Sequence, residues 1–142
     1  MSIIKNKEQL LYYRRKAEEY EAHLSAGKFT SWQNLHEILY PYILCRYSLY
    51  GSCENTYELD RLAELSVEQT IRLSGKDAFK ADSKASCEGT TSAMNKKILL
   101  LMTIQKLMGI RFPREITADL TDTHKIARAV FELIQKKQAG DE

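Results

Sequence analysis

Residues 92–113 read SAMNKKILLLMTIQKLMGIRFP, and this stretch decides the fold. Apolar residues return in it at three- and four-residue steps, which is the periodicity of an α-helix. These residues are Ile98, Leu101, Ile104, Leu107 and Met108. Ser92 is a suitable N-cap, and Gly109 stands where a left-handed residue ends a helix without a steric penalty. The stretch therefore predicts a helix over 92–108 with one face in the core.

A corner and a final helix follow this stretch. Residues 110–113 alternate apolar and polar side chains and end in Pro113, which suits the first turn of a following helix. Thr121 and Asp122 can cap a helix over 122–137. We expect the core to form around the corner at Gly109. Its predicted members are Leu101, Ile104, Met108, Ile110, Phe112, Ile126 and Val130.

The first half of the chain predicts three more helices, over residues 4–25, 31–50 and 56–74. Each carries apolar residues at helical spacing among charged ones. Ser31 and Thr56 are suitable caps for the second and third of them. Pro41 lies inside the second helix and predicts a kink or a break there. No long segment shows strand alternation, so the predicted fold class is all-α without a sheet.

The first two predicted helices form a hairpin over residues 1–52. An isolated two-helix hairpin buries too little surface to be stable. We therefore predict that its apolar side packs against the rest of the chain or against a second copy. That side is formed by Trp32, Leu35, Leu39 and Ile43.

Three motifs in order resemble the second half of an acyl or peptidyl carrier protein. Gly89-Thr90-Thr91-Ser92 resembles the turn that opens the second carrier helix. Met108-Gly109-Ile110-Arg111-Phe112-Pro113 resembles the corner that ends that helix, and Asp119-Leu120 to Ile134 resembles the last helix. Among carrier relatives, the chain looks most like the acyl carrier-related proteins that accompany bacterial peptide maturation systems.

The resemblance implies an acyl-carrier-like four-helix bundle over residues 53–142, after the hairpin over residues 1–52. It also implies a tethering or docking module in a biosynthetic or peptide-modification pathway, with that pathway's enzymes as partners. The matching position for the 4'-phosphopantetheine arm of the family is Ser92. The alternative is that Ser92 only caps the helix and that the chain is a cofactor-free helical adaptor. A homodimer is a further alternative.

Three lysines, Lys96, Lys97 and Lys106, lie on the polar side of the predicted helix. The corresponding helix of typical acyl carriers is acidic and is recognised by basic surfaces. The resemblance therefore implies that partners of this chain present acidic patches to the three lysines. The alternative is a solvated face that binds nothing.

Cys87 is the weak candidate for a catalytic residue. It lies just before the predicted helix and near Lys84, where a helix N-terminus lowers the pKa of a thiol. A nucleophile here would make the chain a small cysteine-dependent acyltransferase or hydrolase. An ordinary loop cysteine is the alternative, and it is favoured because no base can be assigned. The three histidines, His23, His36 and His124, are scattered in the sequence, so we predict surface positions for His36 and His124 and no metal site.

Composition excludes several classes of function. The chain has 21 Lys and Arg against 19 Asp and Glu, interleaved throughout, so no basic block predicts nucleic-acid binding. No apolar run is long enough to cross a bilayer, and the first residues lack the features of a secretion signal. Three cysteines at unrelated spacings predict neither a disulfide framework nor a zinc site. We expect a cytoplasmic protein.

Overall fold

The computed structural model describes residues 3–52, 55–74 and 92–140, and within them the protein is built from six helices. These are α1 (Ile3–Ala26), α2 (Trp32–Arg46), α3 (Leu59–Ser74), α4 (Ser92–Met108), α5 (Arg114–Thr117) and α6 (Thr123–Gln138). No strand occurs in the described ranges, where the one β-type contact is an isolated bridge between Glu58 and Asp122. The predicted all-α class is confirmed.

Most helices begin and end within a few residues of the predicted positions. Ser31 caps α2 through its hydroxyl, which accepts a hydrogen bond from the backbone N–H of Asn34 at 3.0 Å. Asp122 caps α6 in the same way, accepting from the N–H of Lys125 at 2.8 Å. Each cap satisfies a backbone donor that the first helical turn leaves without a partner.

The second helix departs from the prediction in two ways. It runs through Pro41 without interruption, so the predicted break does not occur. It also ends at Arg46 rather than at residue 50, because Ser48 adopts a left-handed backbone with φ of 60°. The turn is closed by the N–H of Leu49, which donates to the carbonyl of Leu44 at 2.7 Å.

The third helix begins three residues later than predicted, and Thr56 is not its cap. The backbone before it instead pairs with the segment that leads into α6. Leu59 N–H donates to the carbonyl of Thr121, and Thr123 N–H donates to the carbonyl of Tyr57, both at 2.9 Å. This pairing holds the start of α3 beside the start of α6, and sequence spacing alone does not reveal it.

The predicted corner after α4 is confirmed. Gly109 has φ of 66°, the left-handed conformation that glycine adopts at low cost. Gln105 secures the chain beyond it, because its side-chain oxygen accepts a hydrogen bond from the N–H of Phe112 at 2.8 Å. Lys137 of α6 donates to the Gly109 carbonyl at 2.7 Å, which ties the last helix to the corner.

One buried cluster joins the hairpin to the remainder of the chain. Leu35, Leu39 and Ile43 of α2 are fully buried, and Trp32 packs against the same cluster, as predicted. α1 packs on α2, α2 on α6, and α3 on α4. The division into residues 1–52 and 53–142 stays a prediction, and the cluster draws side chains from both parts.

The predicted core around the corner is confirmed for four of its seven members. Ile104, Phe112, Ile126 and Val130 are buried. The other three pack against the cluster but are only half-buried, and these are Leu101, Met108 and Ile110. Leu100, which the prediction left out, is buried instead.

None of the described helices combines the length and the apolar character that a membrane span requires.

Candidate docking face on the fourth helix

The outward side of α4 carries four large apolar side chains that remain about half exposed or more in the described part of the chain. Their exposed fractions are 50% for Met94, 49% for Ile98, 61% for Leu99 and 58% for Met102. Successive residues of a helix are rotated by about 100°, so these four lie within an arc of about 140°. Leu100 and Ile104 are buried on the opposite side. We call the four exposed residues the docking face.

Ile98 was assigned to the core side by the sequence, and this assignment is wrong. Residues 98–102 read Ile-Leu-Leu-Leu-Met, which is apolar on every side of the helix. Periodicity does not tell which side of such a run is buried, because no polar residue marks the solvent. Tertiary packing decides, and it buries Leu100 rather than Ile98.

Three lysines lie on the helix that carries the docking face. Residues 92–108 contain three lysines and no acidic residue. Lys106 is exposed and falls within the arc of the docking face. Lys96 lies to one side of it, and Lys97 lies near the core side, where it forms an ion pair with Asp60 of α3. The docking role predicted for the three lysines stays a prediction, with Lys106 the best placed.

A small pocket borders the docking face where the end of α2 meets α4. Its volume is about 150 Å³, and Leu99 belongs both to its wall and to the docking face. The other lining residues are Arg46, Tyr47, Lys96 and Leu100. Among the described residues, the Tyr47 hydroxyl is the buried side-chain polar atom that has no hydrogen-bond partner. Burial raises the pKa of Tyr47 well above its usual value, so the phenol stays protonated.

Ser92 is the first residue of α4, which begins where the sequence predicts a helix, and it is half-buried. It lies about 20° beyond Leu99 around the helix, and therefore next to the docking face. Cys87 and the turn over residues 89–91 lie outside the described residues, so the thiol candidate and most of the motif keep their status as predictions.

A second cluster, which the sequence did not reveal, joins α2 to α6. We call it the ring cluster, and its members are Trp32, His36, Tyr40, Tyr57 and His124. His36 and His124 stack with their ring centroids 4.2 Å apart, and Tyr57 lies 4.5 Å from His124. Both histidines are half-buried rather than placed on the open surface as predicted.

The hydrogen bonds of the ring cluster are made within the chain. His36 Nε2 lies 2.8 Å from the Thr123 hydroxyl, and the Tyr40 hydroxyl donates to the Thr56 carbonyl at 2.7 Å. Burial lowers the pKa of His36 to about 4, the neighbouring His124 lowers it as well, and Asp122 opposes both. His36 is therefore neutral at pH 7. The i, i+4, i+8 spacing of Trp32, His36 and Tyr40 was the available signal, but it does not say which rings cover them.

Cys45 is the free cysteine among the described residues, and it does not provide a nucleophile. It is buried, and burial raises the pKa of its thiol to about 11. A thiol with this pKa is almost fully protonated at pH 7, whereas the nucleophilic form is the thiolate.

Comparison with known proteins adds no relative, since no protein-family model, no curated protein and no solved structure matches this chain.

Proposed function

We propose that this protein is a cytoplasmic docking module that binds partner proteins through the docking face of α4. The observation that carries the proposal is the exposure of Met94, Ile98, Leu99 and Met102, each about half or more, on one side of one helix. An apolar side of a helix is normally buried against another element. The part of the chain that the structure describes covers only one side of α4.

Covering the docking face supplies a driving force for binding. Full burial of a side chain of this size contributes about 1.5–3 kcal/mol, so four half-exposed ones supply several kcal/mol before the costs of association. Methionine also suits such a face, because its flexible thioether adapts to different partner surfaces. An amphipathic helix with anchors at i, i+3, i+4 and i+7 is the partner element that fits a single helical stripe.

The charge on α4 selects the chemistry of the partner. The helix has no acidic residue, Lys97 already pairs with Asp60, and Lys106 lies within the arc of the docking face, so an apolar stripe flanked by Asp and Glu is complementary. A second copy of the chain would instead bring a like-charged helix against α4, which is unfavourable. The occupant that we propose is therefore an acidic amphipathic helix of another protein.

Two synthetic peptides test this proposal. They share one leucine stripe and one length, and differ only in carrying Glu or Lys beside the stripe. We expect the Glu peptide to bind the full chain more tightly, measured by fluorescence anisotropy. Leu99→Ser should weaken its binding by about tenfold or more, whereas Leu11→Ser should not. Leu11 is the matched control, because it is an exposed leucine, 44% accessible, on α1.

Equal binding by the two variants, or by the two peptides, would contradict the proposal. Sedimentation analysis of the chain alone tests whether a second copy of the chain binds the docking face. If wild type is a dimer and Leu99→Ser is a monomer, the docking face binds a second copy and the acidic partner is ruled out.

A second candidate function is a carrier that holds 4'-phosphopantetheine on Ser92 in a biosynthetic or peptide-modification pathway. It is favoured by the position of Ser92, which opens α4 beside the docking face. A helix N-terminus favours the negative charge of a phosphodiester. Incubation with coenzyme A and a broad-range transferase should add one phosphopantetheinyl mass to wild type and none to Ser92→Ala. If wild type gains no mass while a control carrier protein is modified, the carrier function is wrong and the cofactor-free adaptor is the remaining interpretation.

A further inference from the structure

We propose that the pocket between Arg46 and Lys96 binds a carboxylate, with the Arg46 guanidinium and the Tyr47 hydroxyl as its hydrogen-bond donors. If the chain docks an acidic helix as proposed above, this carboxylate belongs to a Glu or Asp side chain of that helix. The pocket is then the place where the partner is recognised by charge, while the docking face supplies apolar contact.

The arrangement of the pocket suits a short aliphatic acid. Leu99 and Leu100 provide an apolar wall, and Arg46 and Lys96 are the two basic residues that line the same pocket. The volume of about 150 Å³ is below that of sites for drug-sized ligands, which run from about 300 to 1,000 Å³. A single side chain is the ligand that this space admits.

Arg46 has no carboxylate partner among the described residues. It is the last residue of α2 and is exposed, so its planar guanidinium is available for a two-point contact with a carboxylate. Glu18 and Glu21 line a neighbouring groove together with Arg46, but neither forms an ion pair with it. Glu21 accepts a hydrogen bond from the Tyr42 hydroxyl at 2.9 Å instead.

The buried hydroxyl of Tyr47 is a second, independent observation that supports a ligand in this pocket. The residue is 3% exposed, and its hydroxyl has no partner, although buried hydroxyls are normally hydrogen-bonded. The backbone carbonyl of Tyr47 is held by the Ser66 hydroxyl at 2.8 Å, which fixes the residue in place. Leu99 lines the same pocket and is the most exposed of the docking-face residues. A shift of its side chain as the ligand enters would let a carboxylate oxygen reach the Tyr47 O–H.

Butyrate is the probe for this site, and the isotope-labelled full chain reports on it by nuclear magnetic resonance. We expect saturable amide shifts at residues 46–47 and 96–100 with butyrate and none with butanol, which has no charge. Inorganic phosphate separates a carboxylate site from a general anion site, and we expect it to bind more weakly. Equal or tighter binding of phosphate would overturn the assignment to a carboxylate.

Tyr47→Phe distinguishes a binding role from a structural one. Loss of a hydrogen bond to a charged ligand should weaken butyrate binding by about tenfold or more. The same variant should keep or raise the melting temperature, because it removes a buried hydroxyl that has no partner. Tyr57→Phe is the matched control, since that hydroxyl is exposed and lies outside the pocket. Unchanged butyrate affinity in Tyr47→Phe or in Arg46→Gln would overturn the proposal.

The peptide experiment separates this inference from the docking proposal. If the Glu peptide binds and loses affinity in Leu99→Ser but not in Tyr47→Phe, the docking face stands and the carboxylate pocket is wrong. If butyrate binds as described and neither peptide does, the pocket stands and the docking module is wrong.

Discussion

The ring cluster and the docking face both consist of large side chains, but they differ in how far other elements cover them. On α2, the rings of His36 and Tyr40 are covered by Tyr57 and by His124 of α6. On α4, the four docking-face side chains remain about half exposed or more in the described part of the chain. The difference indicates that the ring cluster joins α2 to α6, whereas the docking face presents apolar surface that, as proposed above, a partner covers.

The largest effect on stability is expected from a substitution on the core side of α4. Ile104 is fully buried, so Ile104→Ala should lower the free energy of unfolding by about 2–5 kcal/mol. Leu99→Ala, on the docking face of the same helix, should change it by less than about 0.5 kcal/mol. Urea denaturation measures both, and similar losses in the two variants would mean that α4 is covered on both sides.

The ring cluster should make stability depend on pH. The pKa of His36 lies at about 4 in the folded state, below the usual 6.5, so the unfolded chain binds the proton more readily between these values. Stability is therefore full above about pH 6.5 and falls as the pH drops towards 4. Allowing for the partial exposure of the ring, we expect a loss of about 1–2 kcal/mol.

Urea denaturation from pH 7 to pH 4 measures this dependence, with His36→Gln as the comparison. The variant cannot take up the proton, so its stability should vary less over this range. An equal slope in wild type and variant would show that His36 is not the group that titrates.

A smaller effect is expected at the start of α2, which presents the rings. The Ser31 hydroxyl caps this helix, so Ser31→Ala should cost about 1 kcal/mol. Ser25→Ala is the control, because Ser25 is exposed in the last turn of α1. Thermal unfolding of the pair should place the control within about 0.5 kcal/mol of wild type.

Much of the fold could be predicted from local sequence. The caps at Ser31 and Asp122, the glycine at 109 and the apolar spacing of each segment set the helices within a few residues. The main errors arose where the backbone made a choice that spacing does not encode. Ser48 turns left-handed and ends α2, and the segment before Leu59 pairs with residues 121–123 instead of continuing a helix.

The candidate site was less predictable, for two physical reasons. The run over residues 98–102 is apolar on all sides, so the sequence does not indicate which of its residues are buried. In the structure, Ile98 is exposed and Leu100 is buried. The pocket and the ring cluster each join residues far apart in the chain, such as Tyr47 with Leu99 and His36 with His124. Contacts of this kind depend on how the helices pack.

Methionine oxidation tests the central claim most directly, since it compares one residue type on the two sides of α4. Met94 and Met102 are exposed, whereas Met108 packs against the core. Under dilute hydrogen peroxide, peptide mass spectrometry should show sulfoxide forming at Met94 and Met102 well before Met108. The Glu-flanked peptide should protect the first two and leave Met108 unchanged. Equal oxidation rates at the three methionines, or no protection by a bound peptide, would contradict a docking face on α4.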